Sequence, residues 1–116
     1  MEITKTYLML MVSDMDRAIA FYHEGVGLDL RFRSPEWSEL AWGDAVVALH
    51  GGAQDIDLHE TGLGFEVRDL EGALGELVEA GGRIVRPPED REGEPIRLAE
   101  VADPDGNVFS VVQPIW

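Results

Sequence analysis

A displacement of 55 residues lays one part of this chain on another. It carries Val12 to Val67, Asp14 to Asp69, Met15 to Leu70, Ala18 to Ala73, Ile19 to Leu74, Tyr22 to Leu77 and Gly27 to Gly82. The matched positions are a strand end, an aspartate, an apolar stripe and a glycine, which together describe a strand running into a capped helix. Two copies of one supersecondary unit explain the pattern. The alternative is a pair of unrelated amphipathic helices with acidic caps.

Each copy can be read locally. Before Asp14, the strand Lys5 to Val12 puts Tyr7, Met9 and Met11 on one face. After it, Met15, Ala18, Ile19, Tyr22 and Val26 recur at helical spacing, which predicts a helix from about Met15 to Glu24. Asp14 is placed to accept from the first free N–H groups of that helix, and Gly25 and Gly27 are read as the positive-φ residues that end it. Strands follow over Leu28 to Arg33, Ser38 to Trp42 and Ala45 to His50, with Gly43-Asp44 a tight hairpin turn. Gly51 to Thr61 is polar and aperiodic and reads as the connection between halves.

The second copy reads as strand Leu63 to Val67, helix Leu70 to Ala80 and strand Arg83 to Arg86. The polar, proline-bearing stretch Pro87 to Glu94 reads as a surface loop. Strands Ile96 to Val101 and Asn107 to Gln113 close the chain, joined by the turn Asp103-Pro104-Asp105-Gly106. Each half is therefore β-α-β-β-β, an α+β arrangement.

Composition narrows the setting. A chain of 116 residues makes one domain, with module one at about 1–52 and module two at about 60–116. A formal charge of −14 opposes binding to nucleic acid or to an anionic membrane surface. Without cysteine there is no thiol catalysis or disulfide. The Met1-Glu2-Ile3-Thr4-Lys5 start has no signal-peptide pattern and no run is long enough to span a membrane, so a cytoplasmic location is expected. No histidine is spaced to activate Ser13 or Ser110, and no glycine-rich phosphate loop follows a strand. Asp103 and Asp105 resemble a fragment of a calcium loop, but their close spacing fits a hairpin turn better.

The order βαβββ–βαβββ, the Val-x-Asp-(Met/Leu)-(Asp/Glu)-x-Ala junctions and the late Asp103-Pro104-Asp105-Gly106-Asn107 resemble the vicinal oxygen chelate superfamily. That group includes glyoxalase I, extradiol dioxygenases, and fosfomycin- and bleomycin-resistance proteins. The resemblance covers essentially the whole chain, and is specific for fold and weak for function. It implies two modules pairing into one curved mixed sheet around a cavity. It also implies four metal-ligand positions, one on the first and one on the last strand of each module. These fall on Tyr7, Ala48, Gly62 and Ser110. Ala48 and Gly62 carry no donor, and neutral Tyr7 and Ser110 are poor ligands, so no cofactor is expected. The alternative is a divalent metal at a relocated site built on His50 with Glu66 and Glu100, or near His59.

If the family orientation holds, Tyr7, Met9, Met11, Val46, Ala48, His50, Val108, Ser110 and Val112 share the inward face. Trp42 and Glu66 stand beside it, and Trp37 and Trp116 lie near its rim. An apolar wall with a few polar tips suits a small-molecule pocket, although the same residues could fill a solid core. The expected function is binding of a small organic molecule, neutral or cationic and partly aromatic, by a bleomycin-resistance-like homodimer without metal. The alternatives are a metal-dependent lyase, isomerase or dioxygenase, and a domain that only dimerises.

Overall fold

A computed structural model describes residues 1–54 and 56–115; Trp116 therefore lies outside the described residues. Module one consists of β1 (Tyr7–Met11), α1 (Met15–Ala20) continued by a π-helical turn (Phe21–Val26), β2 (Asp29–Phe32), β3 (Trp37–Trp42) and β4 (Ala45–His50). Module two consists of β5 (His59–Glu66), α2 (Leu70–Glu79), β6 (Arg83–Asp90), β7 (Ile96–Ala102) and β8 (Asn107–Pro114). The α+β class and the two βαβββ modules are as read from the sequence.

The strands do not merge into one sheet. They form two four-stranded sheets, ordered β1-β4-β3-β2 and β5-β8-β7-β6. In each, the first strand pairs in parallel with the last and the remaining pairs are antiparallel. The repeat extends to individual hydrogen bonds. Val12 N–H donates to His50 O at 2.9 Å, and Val67 N–H donates to Val112 O at 2.8 Å. Asp14 caps the N–H of Arg17 and Asp69 caps that of Gly72, both at 3.1 Å.

Five sequence expectations need correction. The first helix continues to Val26 because its last turn is π-helical, so its span from capping aspartate to terminating glycine, Asp14 to Gly27, is one residue longer than Asp69 to Gly81 in module two. Gly27 ends it at φ 96°, but the matching terminator in module two is Gly81 at φ 110°, one residue before the repeat position Gly82. Gly25 does not take a positive φ; it permits close helix packing, since a Cβ there would come within 2.6 Å of Ala80 Cβ. The strand expected from Leu63 begins at His59, because polar His59 and Glu60 pair with Asn107 and Val108 ahead of a bulge containing Gly62. Finally, Pro87 to Asp90 lies in β6 rather than in a loop. β6 is a sheet edge, and its register slips between Arg86 and Glu89, where prolines are tolerated.

The core lies between the helices and one face of each sheet. Leu10, Val12, Ile19, Phe21, Tyr22, Leu49, Leu74, Leu77, Val101, Phe109 and Val111 are all buried in it. Phe109 touches Phe21 and Tyr22 of the other module at centroid separations of 6.1 and 6.3 Å.

The turn after β7 fastens the modules. Asp103 Oδ1 accepts from the N–H groups of Asp105 and Asn107, while its Oδ2 accepts from Tyr22 Oη at 2.7 Å and Asn107 Nδ2 at 2.9 Å. Asn107 Nδ2 also donates to Met11 O at 2.9 Å. Asp105 Oδ1 receives Ser13 N, Ser13 Oγ and Arg17 Nη2 at 2.9, 2.6 and 3.1 Å. The motif thus closes a hairpin, as its spacing suggested, and also joins two halves of the chain. Among the described residues, no helix is long and apolar enough to cross a membrane.

Candidate functional site

Strand register decides which candidate residues share a face, because directly opposed residues point the same way. In the first sheet Tyr7 opposes Val46, Met9 opposes Ala48 and Met11 opposes His50. Leu8 and Leu10 point to the core with Val47 and Leu49, leaving the first set on the face away from the helices. On β3, Trp37 and Glu39 oppose His50 and Ala48 and join that face. In the second sheet Gly64, Ser110 and Glu100 form one row, and Glu66, Val112 and Leu98 another. A Cβ on Gly64 would lie 2.9 Å from Ser110 Oγ.

Trp37 fills the middle of the first face. Its ring meets Tyr7 edge-on at 5.5 Å and His50 at 6.1 Å, so the indole spans the face diagonally. Ala48, midway between, is fully buried. Indole Nε1 donates to Glu39 Oε2 at 2.8 Å, and Lys5 Nζ donates to Glu39 Oε1 at 2.7 Å. The Lys5 hydrogen bond, and then that from Trp37, hold the Glu39 carboxyl below its ordinary pKa. Glu39 was not among the sequence candidates. The available signal was its alternation with Trp37 on one strand.

A separate opening lies where edge strands β1 and β5 approach without pairing. It is a cavity of about 660 Å³, walled by Leu8, Val47, Phe65, Val67 and Val111, with the π-helical turn and α2 behind it. Of the nine pocket residues anticipated from sequence, it gathers Tyr7, Trp42, Val46 and Glu66. Met9, Met11, Ala48 and His50 sit instead on the open face of the first sheet, and Ser110 on that of the second. Gly25, Ala73 and Glu76 also line the cavity and were not anticipated. Ala73 and Glu76 are three apart on α2 and so share a helix face, which is the only local trace of their role.

The four family metal positions do not form a ligand set. Ala48 is fully buried and Gly62 lies in the β5 bulge, neither with a donor, and Tyr7 rests against Trp37. The relocated trio is also not assembled, since His50 belongs to one sheet and Glu66 and Glu100 to the other. His50 Nδ1 lies 2.8 Å from Gly51 O, and His59 Nδ1 lies 3.0 Å from Asp57 O. Among the described residues, no three His, Cys, Asp or Glu side chains are grouped to hold a metal ion. The residues present do not fit the ion.

Comparison with known proteins settles the family. The model of the Glyoxalase/Bleomycin resistance protein/Dioxygenase superfamily matches residues 6–111. The chain belongs to this superfamily. Among its relatives is a probable lactoylglutathione lyase of Vibrio cholerae, 30% identical, with 92% of this chain and 88% of that protein aligned. A virulence protein of Salmonella typhimurium is 29% identical over 92% of this chain and 81% of its own. Among solved structures, a superfamily member from Sphaerobacter thermophilus superposes with a TM-score of 0.77 at 24% identity, covering 97% of this chain and 98% of that one. The genomically encoded fosfomycin resistance protein of Listeria monocytogenes gives 0.79 at 13% identity, covering 97% and 94%. These two likenesses concern the fold of the glyoxalase superfamily, which serves many chemistries.

Proposed function

We propose that this superfamily member binds a small organic molecule, neutral or cationic and partly aromatic, in the cavity between its modules and without a metal ion. The observation that carries this reading is the cavity itself. At about 660 Å³ it has the size of a drug-sized ligand site, and its walls are mostly apolar with a few polar groups at the rim. Trp42, 73% exposed at that rim, offers an aromatic face to an incoming ring. A second copy of the chain covers the exposed Met9 and Phe32, giving a homodimer that works in the cytoplasm.

The names of the relatives favour a second reading, a metal-dependent lyase with ligands placed elsewhere than the family positions. Elemental analysis after purification without chelators separates the two. The binding reading expects far less than one equivalent of Zn, Ni, Fe, Mn or Mg per chain, and an unchanged melting temperature in EDTA. Saturable quenching of tryptophan fluorescence by an aromatic probe, lost in Ala73→Phe, is expected at the same time. A stoichiometric metal that EDTA removes with loss of stability overturns the metal-free reading.

A further inference from the structure

Beyond size and polarity, the cavity has a distinctive charge pattern. Its charged lining consists of Glu66, at the end of β5, and Glu76, on the outer part of α2. No Lys, Arg or His is found among the described residues that line it. Neither carboxylate takes part in an ion pair among the described residues. Lys5, Arg17, Arg31, Arg33, Arg86, Arg91 and Arg97 all pair with other acids, and Arg68 and Arg83, which make no ion pair among the described residues, do not line the cavity. Both glutamates are exposed at the opening, while Val67 and Leu77, next to them in the lining, lead into the apolar interior. The whole chain carries −14, so its overall field favours the approach of cations over anions.

We infer that the ligand is an amphipathic organic cation. Its apolar body lies between β1, β5 and α2, and its ammonium group stays at the rim beside Glu66 and Glu76. An anion entering the same space would lose water without meeting a compensating positive charge, which is costly in an apolar cavity. A glutathione thioester, whose two carboxylates outnumber its one ammonium group, is disfavoured on that ground. Glu66 and Glu76 are thus specificity-determining residues. Trp42 and Tyr7 also line the cavity, and aromatic rings there add to the attraction of a cation.

This inference rests on the reading of the cavity as a small-molecule site, and three probes of one shape separate the two. They are 2-naphthyltrimethylammonium, 2-naphthol and 2-naphthoate, titrated by calorimetry into the full-length protein at low and moderate salt. The expected order is cation, then neutral probe, then anion, with the cation's advantage shrinking as salt is added. Glu66→Gln and Glu76→Gln should each weaken the cation by about two- to fivefold, as for a solvent-facing charge pair, and leave 2-naphthol unchanged. Ala73→Phe should abolish binding of all three, locating them in this cavity. If 2-naphthol binds but the cation is no tighter, or if both Gln variants bind the cation as the parent does, the charge inference is overturned while the site stands. If no probe binds and Ala73→Phe instead disrupts self-association, the cavity belongs to a second copy of the chain and both readings are overturned.

Discussion

Replacing Tyr22 by phenylalanine removes one oxygen from the junction of the modules and leaves the ring packing intact. The ring is fully buried and stacks edge-on against Phe21 at 5.0 Å. Its hydroxyl donates to Asp103 Oδ2 at 2.7 Å, a buried hydrogen bond to a carboxylate. After the change Asp103 keeps its bonds from Asn107 Nδ2 and from two backbone N–H groups, so the carboxylate is not abandoned. The loss is therefore one charge-assisted bond, worth about 1.5–3 kcal/mol. Urea unfolding at pH 7 measures it directly.

The pH dependence supplies a second, sharper readout. Burial first, and then the charge and hydrogen bond of Asp103, raise the Tyr22 pKa well above its ordinary value. In the unfolded chain the phenol loses its proton near pH ~10, whereas the folded chain retains it. The Tyr22 contribution is thus complete below that pH. It declines as pH rises further, at up to about 1.4 kcal/mol per unit. Tyr22→Phe lacks this decline, so the gap between the two proteins should narrow above pH ~10. Tyr7 and Lys5, the other tyrosine and the sole lysine, are common to both proteins and cancel in the comparison. A gap below about 0.5 kcal/mol at pH 7, or stability curves that stay parallel into alkali, would refute the reasoning.

Three further outcomes are expected. Leu74→Ala, at a buried position of α2, should lower unfolding stability by about 2–5 kcal/mol in the same urea assay. Gly25→Ala should also destabilise, because the new methyl group collides with Ala80; restoring stability by combining it with Ala80→Gly identifies that contact as the cause. Sedimentation should show a dimer that tightens as salt is added, since each chain carries −14 and like charges are screened; monomer at high concentration and moderate salt rejects it.

The parts of the fold that could be read from sequence are those fixed by local chemistry. Asp14 and Asp69 announce helix starts because their caps close within three residues, and the hairpin at Gly43-Asp44 needs only Trp42 and Ala45 to pair across it. What escaped depends on neighbours distant in sequence. Pro87 and Pro88 read as loop because tolerance of proline in β6 follows from its being a sheet edge. The polar start of β5 became a strand through β8, almost fifty residues away (His59 opposite Asn107). The π-helical turn left no trace beyond the shift of the terminating glycine from Gly82 to Gly81.

The candidate site was harder to foresee for the same reason. Sequence alternation grouped Tyr7, Met9, Met11, Val46, Ala48 and His50 on one face, and register agrees. It could not reveal that Trp37 reaches from β3 to meet both His50 on β4 and Tyr7 on β1. Nor could it bring Glu76 and Glu66 to one cavity, because that depends on how α2 packs against the π-helical turn and its own sheet.

The junction turn has a consequence for the ancestry of such a chain. The modules repeat one another down to their caps, yet the position of Tyr22 in module one is Leu77 in module two. A protein built from two copies of module two would bury the Asp103 carboxylate against a leucine side chain, with one donor fewer, and pay in stability for it. Duplication therefore did not end with two interchangeable halves. With the phenol in one half and the carboxylate in the other, the modules are no longer interchangeable.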